Sequence, residues 1–128
     1  MAAIEPTTAV HRIGGASLAN LALKPSEATS EPPGFSVLLG GTPHEAADQM
    51  RRVFPDPRQF ARLHAQSVIV ASATVEEIRL AGFDVISVAT GRFPNHGRVT
   101  HGAGAAGFTP ENLAQLHAIL RETPTPGE

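Results

Sequence analysis

A chain of 128 residues with 41% hydrophobic side chains and a net charge of −2 is the size of one ordinary domain and can fill a core. With no cysteine, disulfide frameworks, thiolate zinc sites and cysteine nucleophiles are excluded, and the slightly acidic balance argues against a chain-wide nucleic-acid footprint. No apolar run reaches the roughly 18–20 residues that span a bilayer, and the start "MAAIEPTTAVHRIGG" lacks the basic and apolar regions of a secretory signal, so a soluble, cytoplasmic protein with no membrane partner is expected.

Taken in order, "TTAVHRI" (7–13) reads as a first strand ended by Gly14-Gly15, and "ASLANLAL" (16–23) as room for a turn of helix. The stretch 24–34, "KPSEATSEPPG", is polar and broken by prolines, and reads as an exposed loop. "FSVLLGG" (35–41) alternates as a strand should, with Phe35, Val37 and Leu39 on one face and Ser36 and Leu38 on the other. Thr42, Pro43 and Glu45 then spell a capping box with proline at the first helical position, predicting a helix through Phe54. "DPRQ" (56–59) repeats that start signal and predicts a short helix through Phe60 and Leu63. "SVIVAS" (67–72) is a β-branched run suited to a strand buried on both faces.

"TVEE" opens another helix from Thr74 to about Ala81, with Gly82 as its stop. "FDVISV" (83–88) and "HGRVTH" (96–101) read as strands, "GAGAAG" (102–107) as a flexible connection. Thr109 and Pro110 start a last helix to Leu120 with Leu113, Leu116 and Leu120 on one stripe. The end, 122–128, reads as a disordered tail after an ordered core of 7–121. Strands and short helices interleave without a regular βαβ rhythm. The expected fold is therefore α+β: one compact domain with a mostly antiparallel or mixed β core and three to four short helices.

The densest polar chemistry lies in "GRFPNHGRVTH" (91–101). His96 and His101, about 16 Å apart along a strand and on opposite faces, cannot share a metal there, and no other histidine shows ligand spacing, so no metal site is expected. His96, Arg98 and Thr100 share one face of the strand. Either that face is solvated, as polar strand faces usually are, or it lines a cleft where a cation and an imidazole meet an anionic ligand, with Asn95 and Arg92 nearby. Arg12, beside His11 at a strand end, is a surface residue or a bidentate phosphate clamp. Ser36 interrupts an apolar run as an outward position or as a hydroxyl propping a catalytic group. "GAGAAG" lacks the lysine and the strand–helix context of a phosphate loop.

Together, "HRIGGASLANLALKPSE", "PPGFSV", "AGFDVISVATGRFPNHGRVTH" and "GFTPENLAQL" form an ordered pattern over roughly residues 10–120. This resembles the layout of small bacterial toxin domains with an ADP-ribosyltransferase-like fold, the diphtheria-toxin-like group. The resemblance implies a split, strongly bent β core whose cleft grips NAD as a substrate. Arg12 or His11 would match the first-strand residue that holds the cofactor, and Ser36 the second-strand serine that braces the site. The family commonly adds a glutamate, but strand 96–101 has no acid and offers His96 instead. The implied set is His96 and Ser36 at the chemistry, with Arg12, His11, Arg98 and Asn95 around the cofactor. The implied activity is NAD-dependent ADP-ribosylation of an intracellular protein or nucleic acid, opposed by a neutralising antitoxin or immunity protein. The alternatives are a non-catalytic interaction module using the 91–101 edge, and a small binding protein or hydrolase for an anionic metabolite.

Overall fold

The computed structural model describes residues 4–56 and 67–126. Six strands form one sheet in the order β4-β5-β2-β1-β3-β6, with every neighbouring pair antiparallel. In chain order they are β1 (Ala9–Ile13), β2 (Gly34–Leu39), β3 (Ser67–Thr74), β4 (Asp84–Ser87), β5 (His96–Thr100) and β6 (Arg121–Pro126). Five α-helices accompany them among the described residues: α1 (Leu18–Leu21), α2 (Pro25–Ala28), α3 (Pro43–Val53), α4 (Val75–Leu80) and α5 (Pro110–Ile119). The α+β class expected from the sequence is the class observed, with one or two more helices than expected. The helix expected after "DPRQ" lies outside the described residues.

The helix starts follow the cap chemistry of the sequence. Thr42 Oγ1 accepts from the Glu45 amide at 3.1 Å while the Glu45 carboxylate takes the Thr42 amide at 2.9 Å. Thr74 and Glu77 repeat this box at α4, and Thr109 caps α5 by accepting from the Asn112 amide. Each box satisfies two amides that the first helical turn leaves without partners.

Strand alternation then sorts side chains onto two faces. Val10, Phe35, Val37, Val85 and Val99 point into a core closed by Leu21, Val75, Ile78, Leu113 and Leu116. Phe83 and Phe35 stand edge-on to Phe108, with ring centroids 5.3 and 6.2 Å apart, a favoured arrangement of aromatic quadrupoles. The opposite parity, which includes His11, Ser36, Leu38 and His96, points away from that core, where α3 packs across β1 and β3.

Three expectations are corrected. The expected disordered tail is β6, paired with β3 from Arg121 to Pro126. Gly14 donates its amide to the Ile69 carbonyl, so Ile69 faces β1 and the alternate residues Val68 and Val70 face β6. Their partners are Thr125 and Thr123, which leaves the amide-less nitrogens of Pro124 and Pro126 on the outer side. The prolines therefore cost the ladder nothing and blunt the sheet's edge. Stretch 24–34, expected as an exposed loop too broken to form an element, contains the α2 turn, and the Gly-Ala connection contains a 3₁₀ turn at Gly104–Gly107.

Candidate functional site

The central strands β1 and β2 pair only at Val10 with Leu39 and at His11 with Leu38. Beyond His11 they part, and side chains take up the carbonyls left at the opening. Ile13 oxygen accepts from Asn20 Nδ2 at 3.2 Å, and Ser36 oxygen accepts from Arg12 Nη1 at 2.9 Å. The same guanidinium donates through Nε and Nη2 to the Asn20 carbonyl at 3.1 and 2.8 Å, and sits 5.0 Å from the centre of the Phe35 ring. Planar Arg suits this position, because its fork reaches two carbonyls while its face stacks on an aromatic ring.

Over this opening lies a cleft of about 350 Å³, within the lower range of small-molecule sites. Arg12, His11, Ser36 and His96 all line it, so the early and late strands of the sequence meet at one hollow. Its other walls come from α2 (Lys24, Glu27), from the end of α3 (Met50, Phe54) and from the loop before β5 (Thr90, Phe93). Phe54 and Phe93 lie 6.2 Å apart with planes inclined by 32°. That apolar pair faces a cleft whose polar members carry both charges.

The two imidazoles differ. His11 is 1% exposed; its Nε2 is 3.0 Å from the Gly41 carbonyl and its Nδ1 is 2.7 Å from Ser72 Oγ. A carbonyl only accepts, so Nε2 carries a proton, while Nδ1 shares a hydrogen bond with the Ser72 hydroxyl. Both ring nitrogens are engaged, so His11 braces the cleft wall that it lines. His96 donates from Nδ1 to the Val88 carbonyl at 2.9 Å, and no described residue bonds its Nε2.

No protein-family model, curated protein or solved structure matches this chain. What the cleft does is therefore read from its own chemistry.

Two expected ligand residues are placed elsewhere. Arg98 shares the face of His96, as alternation requires, but its Nη1 donates to the carbonyls of Pro32 and Glu31 at 3.0 and 3.3 Å, tethering the segment that follows α2. It does not line the cleft. Neither does Asn95, whose amide forms a reciprocal pair with Gln49 (2.7 and 3.1 Å) and also donates to the Leu39 carbonyl at 3.2 Å. Asn95 thus fastens α3 to the loop that carries Phe93.

Lys24 and Glu27, in a stretch whose composition marks it as loop, also line the cleft. The only signal for them was the Pro25 that starts a helical turn and Glu27 three residues after Lys24; the turn is closed by Glu27 Oε1 accepting the Lys24 amide at 2.9 Å. It delivers a cation, whose ammonium bonds no described residue, and a carboxylate to the cleft.

Proposed function

We propose that this cleft binds NAD and cleaves its nicotinamide–ribose bond, making the chain an ADP-ribosyltransferase-like domain. One observation carries the reading. Arg12, Ser36 and His96, matched separately to the cofactor strand, the bracing strand and the late strand, line one cleft where β1 and β2 part. The resemblance implies a split core; here the sheet is continuous, and the opening is confined to where β1 and β2 part beyond His11. The wall chemistry is also suitable. The Lys24 ammonium and the Arg12 guanidinium put positive charge where a pyrophosphate needs it, and Phe54 and Phe93 offer apolar faces to a flat heterocycle. Cleaving the glycosidic bond builds positive charge on the ribose, so a nearby carboxylate counts for more than a strong nucleophile. Glu27 brings one from α2, where strand 96–101 has none. A toxin role, with a macromolecular acceptor and a neutralising partner, belongs to the same reading.

The test is calorimetric titration with NAD, alongside chromatography for released nicotinamide. NAD should bind and nicotinamide should appear, with Lys24→Ala weakening binding about tenfold, roughly 1.4 kcal/mol. Inorganic pyrophosphate binding as tightly as NAD, without nicotinamide release, would instead make this a site for a phosphorylated metabolite.

A further inference from the structure

Resting on the NAD reading, we infer that His96 Nε2 is the base that takes the proton of the incoming acceptor. Among the described residues that line the cleft, three offer a group able to accept a proton. His11 has both nitrogens engaged, by Gly41 and Ser72. Glu27 has Oε1 tied to the Lys24 amide, and its charge serves the developing ribose cation. His96 remains. The Val88 carbonyl fixes the proton on Nδ1, which puts a lone pair on Nε2, at a ring that lines the cleft. An imidazole whose Nδ1 proton is held by a backbone carbonyl presents its basic nitrogen at Nε2, the arrangement that general-base catalysis uses.

The step balances without a redox partner. The C1′–N bond of the nicotinamide riboside breaks, and its electron pair neutralises the pyridinium as nicotinamide leaves. A lone pair on the acceptor forms the new bond to C1′, and the acceptor proton passes to His96 Nε2 and on to solvent. The acceptor class is therefore a neutral nucleophile that carries a proton: a hydroxyl, an amide N–H or water. Around His96, the charged and titratable neighbours are Arg12 and His11 from β1, Lys24 and Glu27 from α2, and Arg98 on its own strand. β2, α3 and the preceding loop contribute none to the cleft lining.

The test uses the full chain with NAD and water as acceptor, and reads nicotinamide release across pH. His96→Asn keeps an N–H where Nδ1 stands and removes the base. His96→Gln places an amide near Nε2 and gives up the Val88 bond. Both should bind NAD within about threefold of the parent and release nicotinamide at least about 10²-fold more slowly, and the fall in rate on acidification expected of the parent should be absent. If His96 only held the Val88 loop, His96→Asn would keep the parent rate and pH profile, and that result overturns the inference. Parent protein that binds NAD without releasing nicotinamide overturns both this inference and the cleavage on which it rests. Absence of NAD binding defeats the cleft reading itself, a separate outcome. Should His96→Gln fail to fold, His96→Asn alone decides.

Discussion

Arg12 Nη1 lies 2.9 Å from the carbonyl oxygen of Ser36, at the place where β1 and β2 have stopped exchanging backbone hydrogen bonds. A side chain thus completes what the ladder leaves open, and it also holds the Asn20 carbonyl. This gives Arg12 a structural duty beside any contact with a ligand. Arg12→Ala should lower stability by about 2 kcal/mol, the scale of hydrogen bonds from a charged donor lost to carbonyls with few other partners. Arg12→Lys should recover little, since one ammonium cannot reproduce a planar fork. Urea unfolding is the measurement: the midpoint should fall while the slope stays constant. Loss of NAD binding in Arg12→Ala has to be judged against that result, so Lys24→Ala is the cleaner variant for affinity.

Glu77 ties the start of α4 to the edge strand. Its carboxylate receives both terminal nitrogens of Arg121, at 2.8 and 3.1 Å, and the Thr74 amide at 2.9 Å. The hydrogen bond from Arg121, followed by that from Thr74, holds its pKa down at about 2, against 4.5 for an unperturbed carboxyl. Because the folded value is the lower one, the stabilisation is complete above about pH 4.5 and disappears as pH falls towards 2. Glu77→Gln should therefore lower Tm at pH 7 and leave it close to the parent's at pH 2. The Tm difference, followed down that range at low salt, checks this, and added salt should shrink it.

Helix starts were legible because each spells its own cap: Thr42 with Glu45, Thr74 with Glu77, Thr109 with Pro110. β2 and β3 were legible because alternation and β-branching write strands directly. β6 was not, because "RETPTP" has no apolar pattern and two prolines. Its role follows only from knowing which side of the strand each proline nitrogen faces. In the cleft, Arg12, Ser36 and His96 are polar residues within strands and stand out. Lys24 and Glu27 sit in a stretch that composition marks as loop, and Met50 and Phe54 look like ordinary members of an amphipathic stripe. Arg98 and Asn95 have the right chemistry on or beside the right strand. Which carbonyl or amide claims such a side chain depends on neighbours distant in sequence, here Pro32 and Gln49.

Two glycines should respond in opposite ways to alanine. At Gly34, an added Cβ would run into the backbone oxygen of Val99 and the Arg98 side chain. Val99 lies in β5, paired with β2 on one side and β4 on the other, so that oxygen has nowhere to go. Gly34→Ala should cost about 2–3 kcal/mol, as overpacking against rigid structure does. At Gly91 a Cβ meets nothing within 4 Å and φ is not positive. Gly91→Ala should be neutral or stabilising by up to about 1 kcal/mol, through a less flexible unfolded chain. Paired urea curves separate the two, and an equal loss at both positions would refute the close approach of β2 to β5.

The last prediction concerns β6. Thr125 is 1% exposed and donates its hydroxyl to the Val68 carbonyl at 2.8 Å, anchoring a strand that sequence alone marks as a tail. Thr125→Val keeps the shape and removes the donor, so it should cost about 1 kcal/mol. Deleting residues 121–128 is a far larger change. It would bare the edge of β3, where Val68, Val70 and Ala71 are buried, and break the tie from Arg121 to Glu77. An exposed apolar strand with open backbone groups pairs with whatever edge it meets, so the truncated chain should lose cooperative unfolding or elute as concentration-dependent oligomers. Circular dichroism melting with size-exclusion chromatography distinguishes the cases. A truncated chain that stays monomeric and melts within about 2 °C of the parent would mean that β6 adds nothing to the sheet, because even 1 kcal/mol moves Tm by several degrees in a domain of this size.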